Sequence, residues 1–147
     1  MKIFLATPIS GFENEGEYLT YRKQVISLID RLAKHYTVYA EIEVVKDAKF
    51  YDSPDQSVSK DFKAIEEADC FILLHPYRMQ TSSFIELGYA YAQKKPILIV
   101  SREENLPYMA LGLSNADCPA IIVSPDEENV QIYIEEILSH WEKIYCE

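Results

Sequence analysis

Short apolar runs alternate with longer amphipathic segments along the chain, and this alternation restricts the fold more than any other feature. Continuous apolar runs suit strands buried on both faces, and the segments between them carry helical spacing. Together they signal an α/β fold with a mostly parallel sheet. Lys2–Ala6 reads as the first strand, followed by the turn-rich Thr7-Pro8-Ile9-Ser10-Gly11. A helix is predicted from about Glu15 to Lys34, with Tyr18, Tyr21, Val25, Leu28 and Leu32 on one stripe. Thr37–Val45 reads as a second strand, Pro54-Asp55 opens a second helix, and Cys70–Leu74 is a buried central strand. A helix over Ser83–Gln93, a strand over Pro96–Val100, a loop or short helix over 102–115, a last strand over Ala120–Val123 and a closing helix over Asn129–Ile144 complete the pattern. Five strands and about five helices make a doubly wound, three-layer sandwich. Its ligands sit outside the carboxyl ends of the strands, so the loops Thr7–Phe12 and His75–Ser83, and the loop after Val100, are where chemistry is expected.

At 147 residues the chain is expected to form a single domain, 1–147, with a real core. Its 48% hydrophobic and 26% charged residues are those of an ordinary globular protein. No apolar run approaches the roughly 20 residues of a membrane helix, so no membrane partner is expected. Met1–Ala6 is apolar but stops at Thr7-Pro8, too short for the core of a signal peptide. The net charge of −10, without a basic cluster, argues against tight binding to long nucleic acid. A small ligand with one phosphate stays open, because an Arg and a helix N-terminus suffice for it. Cys70, Cys118 and Cys146 are widely spaced, no CxxC occurs and there are three His, so neither a metal site nor a disulfide framework is expected. A reducing cytoplasm is the expected compartment.

Two carboxylates stand out. Glu86 lies in the first turn of the helix after the central strand, where a carboxylate can serve as nucleophile or base. Ser83-Phe84-Ile85-Glu86 also has the spacing of a capping box, in which Glu86 merely satisfies a backbone N–H. Asp61 borders the apolar stripe of Val58, Phe62 and Ile65, and a carboxylate beside a buried face needs a partner or a task. The alternative is that it reaches solvent or caps a turn. Ser10 and Gly11 let backbone N–H groups approach an anion or sugar, or simply make a turn. In the loop after the central strand, Arg78 can pair with a phosphate and Tyr77 can stack on a base, whereas His75 reads as a solvated loop residue. Cys70 reads as core.

The segment Phe84-Ile85-Glu86-Leu87-Gly88-Tyr89-Ala90-Tyr91-Ala92-Gln93-Lys94-Lys95-Pro96-Ile97-Leu98-Ile99-Val100 resembles the nucleoside 2-deoxyribosyltransferase family. So do Lys2–Gly11 and Asp61–Asp69, and the order and spacing also resemble the related 2-deoxynucleoside 5-monophosphate N-glycosidases. The likeness covers about residues 1–110. It implies a flavodoxin-like sheet and cleavage of an N-glycosidic bond, with Glu86 as the nucleophile that forms a covalent glycosyl-enzyme. It implies that Asp61 assists at the nucleobase, and that the Ser10-Gly11 loop lines the sugar or phosphate. The substrate-binding candidates are then Ala6, Ser10, Gly11, Ser82, Ser83 and Arg78. The implied partner is a small-molecule nucleoside or nucleotide, without a cofactor. Family members commonly form dimers or larger homo-oligomers. The tyrosine stripe of the first helix and Asn105-Leu106-Pro107-Tyr108-Met109 are plausible contact surfaces.

The chain departs from the family pattern at three places. An orienting tyrosine of the transferases is Phe4, a second acidic residue is Gln80, and a Gly-rich turn is Thr81-Ser82-Ser83. Hydroxyls in that turn can hold a 5-phosphate, which favours hydrolysis of a nucleoside 5-monophosphate over deoxyribosyl transfer. The same loop resembles that of TIR-like domains, which cleave NAD with a glutamate on the corresponding helix. A TIR-like NAD-cleaving enzyme and a non-catalytic nucleotide-binding module are therefore the competing readings.

Overall fold

The structure, a computed structural model, describes residues 1–46, 51–79, 81–117 and 120–145; Gln80, Cys118 and Cys146 lie outside the described residues. The strands β1 (Lys2–Ala6), β2 (Thr37–Tyr39), β3 (Cys70–Leu74), β4 (Ile97–Val100) and β5 (Ile121–Val123) form one sheet in the order β2-β1-β3-β4-β5. Every neighbouring pair is parallel. This is the flavodoxin-like order, with its switch point between β1 and β3, where connections leave to opposite sides and open a crevice.

The strands read as continuous apolar runs because both faces are covered. On β1, Ile3 and Leu5 join the core that includes α1 (Glu15–Leu32) and α5 (Val130–His140). Phe4 and Ala6 point the other way, into a core shared with α2 (Pro54–Glu67), α3 (Ser83–Ala92) and α4 (Tyr108–Leu111). On β3, Cys70, Ile72 and Leu74 face the first core, and Phe71 and Leu73 the second. Each of the Ile, Leu and Phe side chains among them contributes about 1.5–3 kcal/mol on burial. The tyrosines of the α1 stripe belong to this core: Tyr18 and Tyr21 are buried against the sheet and so are not available as a contact surface between chains.

Three elements differ from expectation by more than a residue at one end: two are shorter and one is divided. The second strand stops at Tyr39 instead of running to Val45, because Glu41–Glu43 turn into a 3-10 helix that buries Ile42 beneath α1. Arg22 of α1 satisfies the freed carbonyls, binding those of Ile42 at 3.0 Å and Glu43 at 2.7 Å, and the Tyr18 hydroxyl donates to that of Val45. The first helix ends at Leu32, short of Lys34, where the N–H groups of His35 and Tyr36 both fold back onto the Leu32 carbonyl. The closing helix passes at Trp141 into a 3-10 segment, Trp141–Tyr145.

α2 and α3 are bound together on the face that carries Phe4. The rings of Phe62 and Tyr89 stack at 3.8 Å and 5°, and the Tyr89 hydroxyl donates to Glu66. Lys95 donates to the carbonyls of Glu66 and Ala68, at 2.8 and 2.7 Å, closing the C-terminal end of α2. Among the described residues no helix is long and apolar enough to cross a membrane.

Candidate active site

The site is assembled at the carboxyl ends of β1 and β2, between the N-terminal halves of α2 and α3. A cleft of about 250 Å³ opens there, lined among others by Ala6, Thr7, Ser10, Glu41, Asp61 and Glu86. Tyr51, Asp52 and Ser57 line it from the side of α2, and Thr81, Ser82 and Ser83 from the start of α3. The Tyr51 hydroxyl donates to the Ile9 carbonyl at 2.9 Å, joining the segment before α2 to the loop after β1.

Asp61 is more deeply placed than its sequence pattern implies. The stripe expected around Val58 is rotated: Val58 is 49% exposed, whereas Asp61 is 8% exposed and shares the sheet-facing side with Ile65. A buried carboxylate must find donors, and Asp61 Oδ1 accepts from the Tyr39 hydroxyl at 2.9 Å. The same hydroxyl lies 3.2 Å from Glu41 Oε2.

Glu86 lies on the α3 stripe that also carries the buried Ser83, Leu87 and Ala90. The capping-box spacing is not used. Ser82, not Ser83, is the N-cap, so Ser83 is already helical, and its own N–H is held by the Thr81 hydroxyl at 3.2 Å. Glu86 is thus one residue beyond the box position. Its carboxyl lies beside that of Asp61 in the same cleft. Burial, then the neighbouring Asp61, then the Glu41 charge, raise the Glu86 pKa well above the ordinary carboxylate value. Burial and the neighbouring Asp61 charge likewise raise Glu41, and they push the Tyr39 phenol far above its usual range.

The structure therefore brings Ala6, Ser10, Ser82, Ser83, Asp61 and Glu86 to one cleft. Gly11 and Arg78 lie elsewhere. Gly11 has a φ of +89°, which glycine tolerates best, and it borders a separate hollow with Phe12, Tyr21 and Tyr77. Arg78 is exposed beside Glu104, Asn105 and Pro107. Tyr77 packs edge-on to Phe12 at 6.1 Å and against Tyr21 at 5.7 Å. His75 is not a solvated loop residue: it is fully buried, 4.8 Å from the Phe84 ring, and among the described residues neither ring nitrogen has a hydrogen-bond partner. No group of three or more His, Cys, Asp or Glu among the described residues is arranged to hold a metal ion.

Tyr39, Glu41, Tyr51 and Asp52 were not among the candidates that the sequence singled out. Tyr39 and Glu41 carried one usable signal: in this fold, residues that end a strand next to the switch point face the crevice. Reading the strand through to Val45 hid it.

Residues 3–118 match the family model described as nucleoside 2-deoxyribosyltransferase. No curated protein matches the chain. Among solved structures, the chain is similar to a CMP N-glycosidase, BcmB, of Clostridium botulinum: 24% identity, TM-score 0.65, covering 95% of this chain and 99% of that one. It is also similar to BlsM in solution, at 19% identity and TM-score 0.65, covering 96% of this chain and 93% of that one. A conserved protein of Enterococcus faecalis V583 aligns at 17% identity and TM-score 0.57, over 95% and 98% of the two chains. At these identities the structural likeness speaks for the fold.

Proposed function

The chain belongs to the nucleoside 2-deoxyribosyltransferase family, and from that premise we propose that it cleaves the N-glycosidic bond of a nucleoside or nucleoside 5-monophosphate, with Glu86 as nucleophile and Asp61 as the proton donor to the base. The observation that carries this reading is the placing of the Asp61 and Glu86 carboxyls side by side in one cleft. Two like charges in contact do not both ionise cheaply, so the pair keeps one proton to higher pH than an isolated carboxyl would. Before substrate binds, that proton is on Glu86, since Asp61 already accepts from Tyr39.

As the sugar enters, the proton passes from Glu86 to Asp61. A Glu86 carboxylate oxygen attacks the anomeric carbon, the carbon–nitrogen bond breaks, and its electron pair leaves with the base, which takes the proton from Asp61. Water then attacks the anomeric carbon of the glycosyl ester. Asp61 accepts the proton of that water, the sugar leaves bearing the hydroxyl, and the pair is restored with one proton. An acceptor base in place of water gives transfer instead. The oxocarbenium-like transition state is cationic, and the negative charge of the Glu86 carboxylate, with Glu41 nearby, stabilises it.

Thr81, Ser82 and Ser83 present hydroxyls, and α3 its N-terminus, to the cleft. They are suited to receive a 5-phosphate. Assembly as a homodimer or larger is part of this reading. It is supported by Tyr108 and Met109, 92% and 84% exposed beside an apolar groove that includes Phe84, Leu87 and Tyr91. Light scattering tests it.

The experiment that tests the function is chromatography of free base released from nucleosides, deoxynucleosides, their 5-monophosphates (cytidine 5-monophosphate included) and NAD. Release from a nucleoside or monophosphate is expected. Release from NAD alone transfers the site to the TIR-like reading, and release from none makes the cleft a binding module.

A further inference from the structure

Tyr39 takes part in neither bond change of the proposed reaction, yet its hydroxyl touches two carboxylates of the cleft. Its position is set by the sheet. Tyr39 is paired in register with Phe4 on β1, and Phe4 with Phe71 on β3. Their rings form a continuous stack, with centroids 5.2 and 5.4 Å apart and planes at 25° and 10°. A phenol held this way has little rotamer freedom left to lose when it donates. It owns one proton, and the distances of 2.9 Å to Asp61 and 3.2 Å to Glu41 give Asp61 the better share.

We infer that Tyr39 is a positioning residue, whose hydroxyl, anchored by the aromatic stack, aims the Asp61 carboxyl at Glu86 and decides which of the two carries their shared proton. The inference rests on the reading of Asp61 and Glu86 as a working pair. A hydroxyl donating to Asp61 favours its ionised form and leaves the proton with Glu86. The other charged groups around Asp61 are Glu41 from the 3-10 turn, Glu86 from α3, and Lys60 of α2, which is paired with Asp52 at 2.7 Å. Of these, Glu86 donates to Asp61 only while it holds the shared proton, and Lys60 is engaged by Asp52, so the Tyr39 hydroxyl is the donor to Asp61 that does not depend on that proton.

The sign of the effect follows. Without the hydroxyl, the pair loses a donor that favours its ionised form and faces Glu41 directly, so it deprotonates at higher pH. Removing the Glu41 charge acts the other way: the pair is relieved of a negative neighbour and deprotonates at lower pH.

The test is a carbon-13 titration of the side-chain carboxyls in the wild type, Tyr39→Phe and Glu41→Gln. Tyr39→Phe keeps the ring and its stack. Its pair is expected to titrate at higher pH than wild type, and that of Glu41→Gln at lower pH. With an active wild type, Tyr39→Phe should also lower kcat about tenfold with KM within about twofold, roughly the effect of one lost hydrogen bond. Both limbs of its pH–rate profile should move to higher pH. An unmoved titration in Tyr39→Phe, or an effect confined to KM, overturns the inference. If the wild type releases no base from any substrate, the enzymatic reading fails while the titration still decides the role of Tyr39.

Discussion

Asp61 on α2 and Glu86 on α3 set their carboxyl groups side by side in a cleft whose inner wall is the β1 strand end. A fold optimised for stability alone would not hold two carboxyls in contact with a third, Glu41, nearby. One of them must stay protonated at a pH where an exposed carboxyl has long since ionised. That arrangement costs stability, and in the proposed reaction it would supply a proton and a nucleophile from adjacent groups.

Replacing Glu86 by Gln should separate the two consequences. Base release should fall about a thousandfold or more, as when a covalent nucleophile is removed. Stability should move the other way. A carboxyl whose pKa is raised in the folded state contributes stability that is present below its unfolded pKa. That stability is lost as pH rises through the folded value. Gln carries no such penalty, so at pH 7 the variant should melt about 2–4 °C higher, the effect of about 1 kcal/mol in a chain of this size. The gain should vanish near pH 4. Calorimetry at the two pH values checks it.

Asp61→Asn should reveal its role through the leaving group. An amide cannot hand a proton to the departing base, so natural bases should be released about 10²–10⁴-fold more slowly. A nucleoside analogue whose base leaves readily without protonation should lose far less. Steady-state rates on the two substrate types give the comparison, and equal losses on both would remove Asp61 from the proton-transfer step.

His75 should make the fold sensitive to acid. Burial lowers its pKa to about 4 from the usual 6.5, so it stays neutral in the folded state while the unfolded chain protonates it first. Its contribution is present above pH 6.5 and is lost as pH falls from there to about 4. The full loss is of the order of 3 kcal/mol. Urea denaturation between pH 7 and pH 4 should show this slope in the wild type and a weaker one in His75→Phe.

Phe4 occupies the middle of the aromatic stack and is 1% exposed. Phe4→Ala leaves a cavity between Tyr39 and Phe71, with an expected cost of about 3–5 kcal/mol. A lower urea midpoint at an unchanged slope is the expected signature.

Much of this was legible in the chain, for identifiable reasons. β1, β3 and β4 announced themselves because strands covered on both faces must be apolar throughout. Asp61 stands out because a carboxylate beside an apolar helical stripe contradicts simple burial, and Glu86 because it lies in the first turn of the helix that follows the central strand. Tyr39 and Glu41 escaped because a run of β-branched and apolar residues does not say where the strand stops. The stop came from tertiary contacts, the Arg22 side chain binding the carbonyls of Ile42 and Glu43. His75 was misplaced for a related reason. Polarity suggested solvent, whereas the residue directly continues β3 and is enclosed with Phe84. Gly11 was recognised as a turn residue, and its positive φ gives that turn its reason.

The role of Glu86 as nucleophile is tested most directly by mass spectrometry of the protein quenched during reaction with a 2-fluoro-arabinosyl nucleoside, whose fluorine slows breakdown of a glycosyl ester. A mass increase of one fluorosugar, mapped to Glu86 and lost in Glu86→Gln, is the expected result. Base release without any adduct, or an adduct on a different residue, would contradict it.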